Sequence, residues 1–475
     1  MPVDRLTQSA ASRPGVGIVH LGLGAFYRAF GAVYVAEAMA ASGGDWGIVG
    51  VSLKNPTIRN ALAPQNWAYT SVTLAENGES TQVIDVLENV LVAPENPAAV
   101  LEAMADPGVK IVSLTVTEKG YCYNSVTGEL ALDHPDIAHD LMQELPRSAL
   151  GFLVRALACR RAAGVPPFTV LSCDNLPENG ALVRKIVLDF AHLIDPSLAQ
   201  WIAGNARFPA TMVDRITPAT TSADITRLTA MTGLYDGAPV LHEPFRQWVI
   251  EDNFVENMRP DFGAVGVEMV EDVTGFEQMK LRMLNGSHSA LAYLGYLAGH
   301  ETVSDTVADP AFTAYVRQLW GEIMPVVRAP QGFDLRDYAQ ALMKRYANPK
   351  IRHRTWQIAM DGSQKLPQRL LGSLEANIAA GKPAPGLCLA VAAWMYYVGG
   401  IDPSGQPIEV KDPMAKRLRA ISDAATTPAD KVAALLSLSE IFPAELAENL
   451  KTPVTEAAQF LWTQGARKAA LEVVT

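Results

Sequence analysis

Cysteine is scarce in this chain. Four cysteines in 475 residues (Cys122, Cys159, Cys173 and Cys388), none in a C-x-x-C pair, exclude a disulfide framework and argue against a structural zinc site. A cationic surplus is missing too. Lys and Arg number 39 against 50 Asp and Glu, a net charge of −11, whereas a nucleic-acid binder needs excess cations to meet phosphate. No apolar run reaches the roughly 20 residues that cross a bilayer. The longest, Leu387 to Val398, is closed by Gly399 and Gly400 and reads as a buried helix. The opening MPVDRLTQSAASRPG lacks the apolar centre of a signal peptide, so the expectation is a cytoplasmic protein with neither nucleic acid nor membrane as partner. Internal repeats and low-complexity tracts are also absent.

With 49% hydrophobic and 19% charged residues, the chain can bury a large core, and its length suggests two or three domains. Gly17–Leu23, Trp46–Leu53, Gly108–Val116 and Phe168–Cys173 read as strands, with Ala264–Val270 as a further candidate. Helix-like stretches lie among them at Ala32–Ala41, Ala98–Met104 and Ala149–Ala163. This alternation predicts a parallel sheet covered by helices on both faces. Beyond about residue 275 the pattern is helical: Phe276–Ala298, Pro310–Met324, Leu335–Arg345, Gly386–Val398, Pro428–Leu438 and Thr455–Leu471. The expected fold is thus α/β plus α, divided as 1–275 and 276–475.

The first strand runs into Gly22-Leu23-Gly24-Ala25-Phe26-Tyr27-Arg28. Glycines at such a turn let the backbone approach a pyrophosphate, and Arg28 could reach a phosphate or be a solvated helix residue. The third glycine of the dinucleotide fingerprint is replaced by Tyr27. The stretch after strand two, Val51 to Arg59, has no acid to bind a ribose. Its Lys54 and Arg59 could suit a 2′-phosphate or be loop cations, which leaves NAD against NADP open.

A second motif, Lys280-Leu281-Arg282-Met283-Leu284-Asn285-Gly286-Ser287-His288, puts three polar groups into an apolar stretch. At roughly 100° per residue Lys280, Asn285 and His288 fall at about 0°, 140° and 80°, on one side of a helix. A lysine in an apolar setting gives up its charge more readily and can act as a general base toward an alcohol. Asn285 and His288 could then bind and polarise the reacting oxygen.

Seven segments carry a resemblance to a known family: HLGLGAFYRAF (20–30), VSLTVTEKGYC (112–122), SCDNLPENG (172–180), FPATMVDRITP (208–218), EPFRQWVIEDNF (243–254), MKLRMLNGSHSALAYLG (279–295) and MDGSQKLPQR (360–369). In these the chain resembles the mannitol dehydrogenase family, the polyol-specific long-chain dehydrogenases, over almost its whole length. The resemblance implies a Rossmann-type domain followed by a helical domain, and metal-independent NAD(P)-linked oxidoreduction of a small sugar acid or polyol. It implies that Lys280 is the general acid and base, that Asn285 and Asn175 stabilise charge on the reacting oxygen, and that His288 binds substrate. Asp214 and Lys365 would hold further hydroxyls. Glu118 would relay the proton, and Gly22, Gly24, Phe26 and Arg28 would line the cofactor.

Two departures qualify this. Many relatives have histidines where Tyr27 and Phe30 stand here. Mannitol-oxidising members carry an arginine where this chain has Gln357. The stretch RHRTWQIAMDGSQKLPQRLL looks like the fructuronate reductase branch, whose substrate bears a carboxylate. A planar cationic fork suits that group. Arg352 and Arg354 are the leading candidates, with Arg369 and the weaker His353 beside them. The expected reaction is therefore interconversion of D-fructuronate and D-mannonate. The alternatives are a dehydrogenase of mannitol, arabinitol or sorbitol, or a dinucleotide-binding protein without turnover. The oligomeric state stays open.

Overall fold

The computed structural model describes residues 3–7, 13–124 and 127–474. They form two compact units, Met1–Val273 and Thr274–Thr475.

The first unit is built on five parallel strands: β1 (Val16–Leu21), β2 (Gly47–Ser52), β3 (Leu87–Val92), β4 (Ile111–Leu114) and β5 (Thr169–Ser172). Their spatial order, β3-β2-β1-β4-β5, is that of a doubly wound Rossmann sheet. Neighbouring residues on these strands face opposite layers. Ile18, Ile48, Ile111 and Leu171 join the layer that includes Ala32–Val35 of helix Gly31–Ser42. Val19, Val49, Val112 and Val170 join the layer holding helices Pro97–Ala105, Ala149–Ala162 and Asn179–Ile194. Burial on both faces is why these strands read as continuous apolar runs.

Four of the five sheet strands match the sequence expectation; Leu87–Val92 was not anticipated. Of the expected strand Ala264–Val270 only Glu268–Val270 is extended, because a 3₁₀ turn occupies Phe262–Val265. Three smaller sheets also went unread, one of them the two-stranded pair Asp4–Arg5 with Leu234–Tyr235. Tyr69–Ala75 and Gly78–Ile84 form a hairpin joined by Val240–His242. Gln247–Glu251 lies between Thr211–Asp214 and Glu268–Val270.

The second unit is helical, and its central helix Ser287–Leu297 is almost wholly buried. Helix Pro385–Tyr397, the apolar run noted above, packs on it and is buried along nearly its whole length. No helix among the described residues is long and apolar enough to cross a membrane.

Two helix expectations are corrected. Thr455–Leu471 is not one helix: Gly465, at φ 81°, separates Ala444–Gln464 from Ala466–Glu472. Phe276–Ala298 is not uniformly α-helical either. It runs as α-helix Thr274–Met279, a π-helical turn Lys280–Gly286, and α-helix Ser287–Leu297.

Candidate active site

On the first unit, β1 ends at a turn whose glycine is required. Gly22 sits at φ 92°, and a Cβ there would collide with the Thr115 carbonyl oxygen just beyond β4. β1 and β4 are adjacent where the strand order reverses, the crevice in which doubly wound sheets bind ligands. Gly24 is exposed, and a Cβ on it would have nothing within reach but Gly22 O at 3.8 Å. Backbone bare of side chain beside open space fits close approach by a dinucleotide. Phe26 is partly buried and stacks on Phe30 at 5.1 Å.

Arg28 does not suit a phosphate role, nor is it solvated. It is buried, its Nη1 donates to Ala238 O at 2.5 Å, and its guanidinium lies over the Tyr69 ring. The two aromatics that replace histidines belong to the core. Tyr27 stacks on the buried His20 at 3.3 Å, and Phe30 packs against Tyr34 and Trp248. After β2, Arg59 is paired with Glu95, while Lys54 is exposed.

Glu118 opens a 3₁₀ turn after β4 and accepts from Tyr123 Oη at 3.4 Å. Asp174, which sequence reasoning passed over in favour of its neighbour, holds this loop. It accepts from the backbone N–H of Val116 and Thr117 and from Tyr121 Oη, at 2.7 to 3.0 Å. Burial raises its pKa, and these hydrogen bonds oppose the shift. Asn175 is exposed in the turn after β5. Asp214 is buried at the end of Thr211–Asp214. The next residue, Arg215, donates to the carbonyls of Glu243 and Ala29.

On the second unit the π-turn alters the geometry expected of the Lys-Asn-His set. In a π-turn the N–H five residues on bonds back to the first, so Asn285 stands nearly above Lys280 instead of 140° away. The turn is held by side chains that bond its carbonyls. Met283 O accepts from Ser287 Oγ and Trp320 Nε1, and Leu284 O accepts from Tyr346 Oη. Lys280, Asn285 and His288 are all buried. Asn285 Nδ2 and His288 Nε2 have no hydrogen-bond partner among the described residues. Buried polar atoms are rarely left so, and these two are open to a hydrogen bond from outside the fold.

His288 stacks on Tyr346 at 5.4 Å and meets His353 edge-on at 4.6 Å. Burial drives the His288 pKa far below the usual histidine range, assisted by His353, Arg369, Arg345 and Lys365. His353 is likewise pushed down, to about 4, by burial and by Lys365 and Arg369. Both rings are neutral near pH 7. Lys365 is partly buried, and its Nζ donates to Met360 O at 2.5 Å. The segment before it contains Asp361 in the left-handed region at φ 54°, a strained conformation of the sort that clusters at functional sites.

Arg352 and Arg354 do not join this group. Their side chains are 67% and 47% exposed, and both face Glu301, at 3.5 and 3.7 Å. The second-choice residues of that stretch, His353 and Arg369, are the ones that do. Tyr346 and Arg345 were missed. They lie on helix Leu335–Ala347, whose sequence carries no sign of its distant partner. Among the described residues no group of three or more His, Cys, Asp or Glu is placed to hold a metal ion.

Comparison with known proteins agrees with this anatomy. Residues 16–263 match the mannitol dehydrogenase Rossmann domain, and residues 272–462 the mannitol dehydrogenase C-terminal domain. The chain is 47% identical to D-mannonate oxidoreductase of Escherichia coli K12, across 95% of this chain and 94% of that protein. It is 42% identical to mannitol 2-dehydrogenase of Aspergillus fumigatus, across 90% and 87%. Among solved structures, the ternary complex of Pseudomonas fluorescens mannitol 2-dehydrogenase with NAD and D-mannitol superimposes with a TM-score of 0.89 at 37% identity, covering 99% of this chain and 97% of that one. The two family-model matches, which together span most of the chain, and the full-length similarity to these relatives show that the chain belongs to the mannitol dehydrogenase family of oxidoreductases.

Proposed function

We propose that the protein interconverts D-fructuronate and D-mannonate, with NAD as its dinucleotide. Residues 1–275 would carry the cofactor and 276–475 the lysine that moves the proton. The observation that carries the reading is the buried set on the π-turn: Lys280 beside Asn285 and His288, whose Nδ2 and Nε2 lack partners. The substrate choice is supported by the cationic surroundings of His288 and by the 47% identity to D-mannonate oxidoreductase.

NAD, when bound, accepts or donates the hydride. Gly22 and Gly24 would hold it, with Phe26 at the edge. Lys280 takes the hydroxyl proton on oxidation and returns it to the carbonyl oxygen on reduction. Asn285 Nδ2 donates to that oxygen as negative charge gathers on it. His288 is kept neutral, so it can offer a ring nitrogen to a neighbouring hydroxyl without adding a further cation. Lys365 binds a further hydroxyl. On the first unit, Asp214, Asn175 and Glu118 are assigned the hydroxyl-binding, charge-stabilising and proton-relay roles that the family resemblance implies.

The reading of the chain as a mannitol-type dehydrogenase has its own support in the 42% identity to mannitol 2-dehydrogenase. Initial rates with NADH and NADPH against D-fructuronate and D-fructose separate the two. The proposal expects kcat/KM for D-fructuronate with NADH to exceed that for D-fructose by at least about a hundredfold, since a buried charge-assisted contact contributes about 1.5–3 kcal/mol and the orienting contacts add to it. Faster reduction of D-fructose would assign the mannitol-type activity. Cofactor binding without turnover of either sugar would assign a non-catalytic role.

A further inference from the structure

On the second unit Arg352 and Arg354 both face the carboxylate of Glu301. Arg369 has none among the described residues. It lies in a second π-helical turn, Pro367–Leu371, and among the described residues its guanidinium makes one hydrogen bond, from Nη1 to Ser289 Oγ at 3.0 Å. The titratable groups that raise its pKa are the phenols of Tyr293 and Tyr346, which are neutral at pH 7. Burial brings its pKa down to about 10, so it remains cationic at neutral pH. A partly buried guanidinium with no carboxylate partner among the described residues is free to meet an anion that arrives from outside.

The environment has the same sign. Lys365 and Arg369 both act on His353, and with Arg345 they act on His288. The Nδ1 atom of His353 is buried without a partner, the third such atom in the group after Asn285 Nδ2 and His288 Nε2. The backbone of Arg369 is fixed, because Gly286 packs so closely that a Cβ there would stand 2.6 Å from Arg369 O. A hydroxyl could use one of the free donors but would leave the charge uncompensated. A carboxylate offers about four lone-pair sites and a full negative charge, which suits a planar fork and a ring N–H together.

We infer that Arg369, with His353 beside it, is the specificity-determining subsite of the second unit and binds the terminal carboxylate of an aldonate or keto-hexuronate. This rests on the function proposed above and names the group that distinguishes an acid substrate from a neutral polyol. The exposed pair Arg352 and Arg354, which face Glu301 and solvent, has no part in it.

The test is the ratio of kcat/KM for D-fructuronate to that for D-fructose, measured with NADH for the wild type, Arg369→Gln and Arg369→Lys. Arg369→Gln should lower the ratio at least about tenfold, chiefly through KM for D-fructuronate, as expected for loss of a charge-assisted contact. Arg369→Lys, which keeps the charge but not the fork, should fall between and serves as the readout if the glutamine variant does not fold. Arg352→Ala should leave the ratio unchanged. An equal loss on both substrates, or an unchanged ratio, overturns the inference. If the wild type reduces D-fructose but not D-fructuronate, the parent function fails. In that case D-mannonate competing with D-fructose more weakly in Arg369→Lys than in the wild type would still support the subsite, and equal competition in both, or none in either, would overturn it.

Discussion

Lys280 opens the π-turn with its side chain buried, and its proposed work is proton transfer at the substrate oxygen. Lys280→Ala should therefore reduce kcat by about 10²–10⁴-fold or more, the usual range for a general acid and base. The dissociation constant for NADH, read by fluorescence titration, should change by less than about twofold. Loss of cofactor affinity together with activity would make Lys280 a structural residue. Individual residues also show where sequence reasoning stops. The Lys280, Asn285 and His288 set could be read because polar side chains interrupt an apolar run. Choosing among Arg352, Arg354 and Arg369 could not be done that way. All three are cations within one short stretch, and what separates them is Glu301, some fifty residues earlier in the chain, which faces two of them and not the third. Arg28 was misjudged for the same reason, since its acceptor is the distant Ala238 carbonyl.

The decisive elements are the two π-turns, Lys280–Gly286 and Pro367–Leu371, which pack against each other. The second begins at a proline, which cannot donate within a helix and crowds the preceding turn. The first is stabilised by Ser287, Trp320 and Tyr346, which bond the carbonyls of Met283 and Leu284. Their contact depends on Gly286. In Gly286→Ala the new methyl would meet Arg369 O at 2.6 Å and push the turns apart. Overpacking of this kind costs about 1–3 kcal/mol, so the melting temperature should fall by several degrees. kcat/KM for the sugar should fall with it, while NADH affinity stays near wild type. A variant with unaltered melting and turnover would show that the turns can separate at no cost to the site. Neither turn was legible in the sequence, because apolar spacing in a π-turn differs from that in an α-helix by less than the pattern resolves. The sheet was more legible. β1, β2, β4 and β5 are unbroken apolar runs, whereas β3, LENVLV, carries Glu88 and Asn89 and was overlooked.

At the scale of the molecule, four histidines are held neutral by burial, two on each unit: His20 and His242 on the first, His288 and His353 on the second. Their folded pKa values lie below the unfolded value of 6.5, at about 3 for His20 and about 4 for His242 and His353. Between pH 6.5 and those values the unfolded chain binds protons that the folded chain refuses, so stability falls as pH falls. His20, His242 and His353 each contribute about 2 kcal/mol of that loss by pH 5, and His288 adds to it in the same direction. Four carboxyls work in the opposite direction. Burial raises the pKa of Glu88, Asp174 and Glu268 on the first unit and of Glu322 on the second, and each of these favours the folded state as it takes up its proton. The second unit sets one such carboxyl against two histidines, so its response to acid should be the larger. Guanidinium chloride unfolding at pH 7 and pH 5 should show lower midpoints at pH 5, whether the units unfold together or in two steps. If there are two steps, the one that loses the NADH-independent tryptophan signal of the second unit, from Trp320 and Trp394, should move further. His353→Asn should reduce the shift of that step. A midpoint that holds or rises on acidification would mean that carboxyl protonation outweighs the histidines, and that the rings around Lys280 are not kept neutral by the fold.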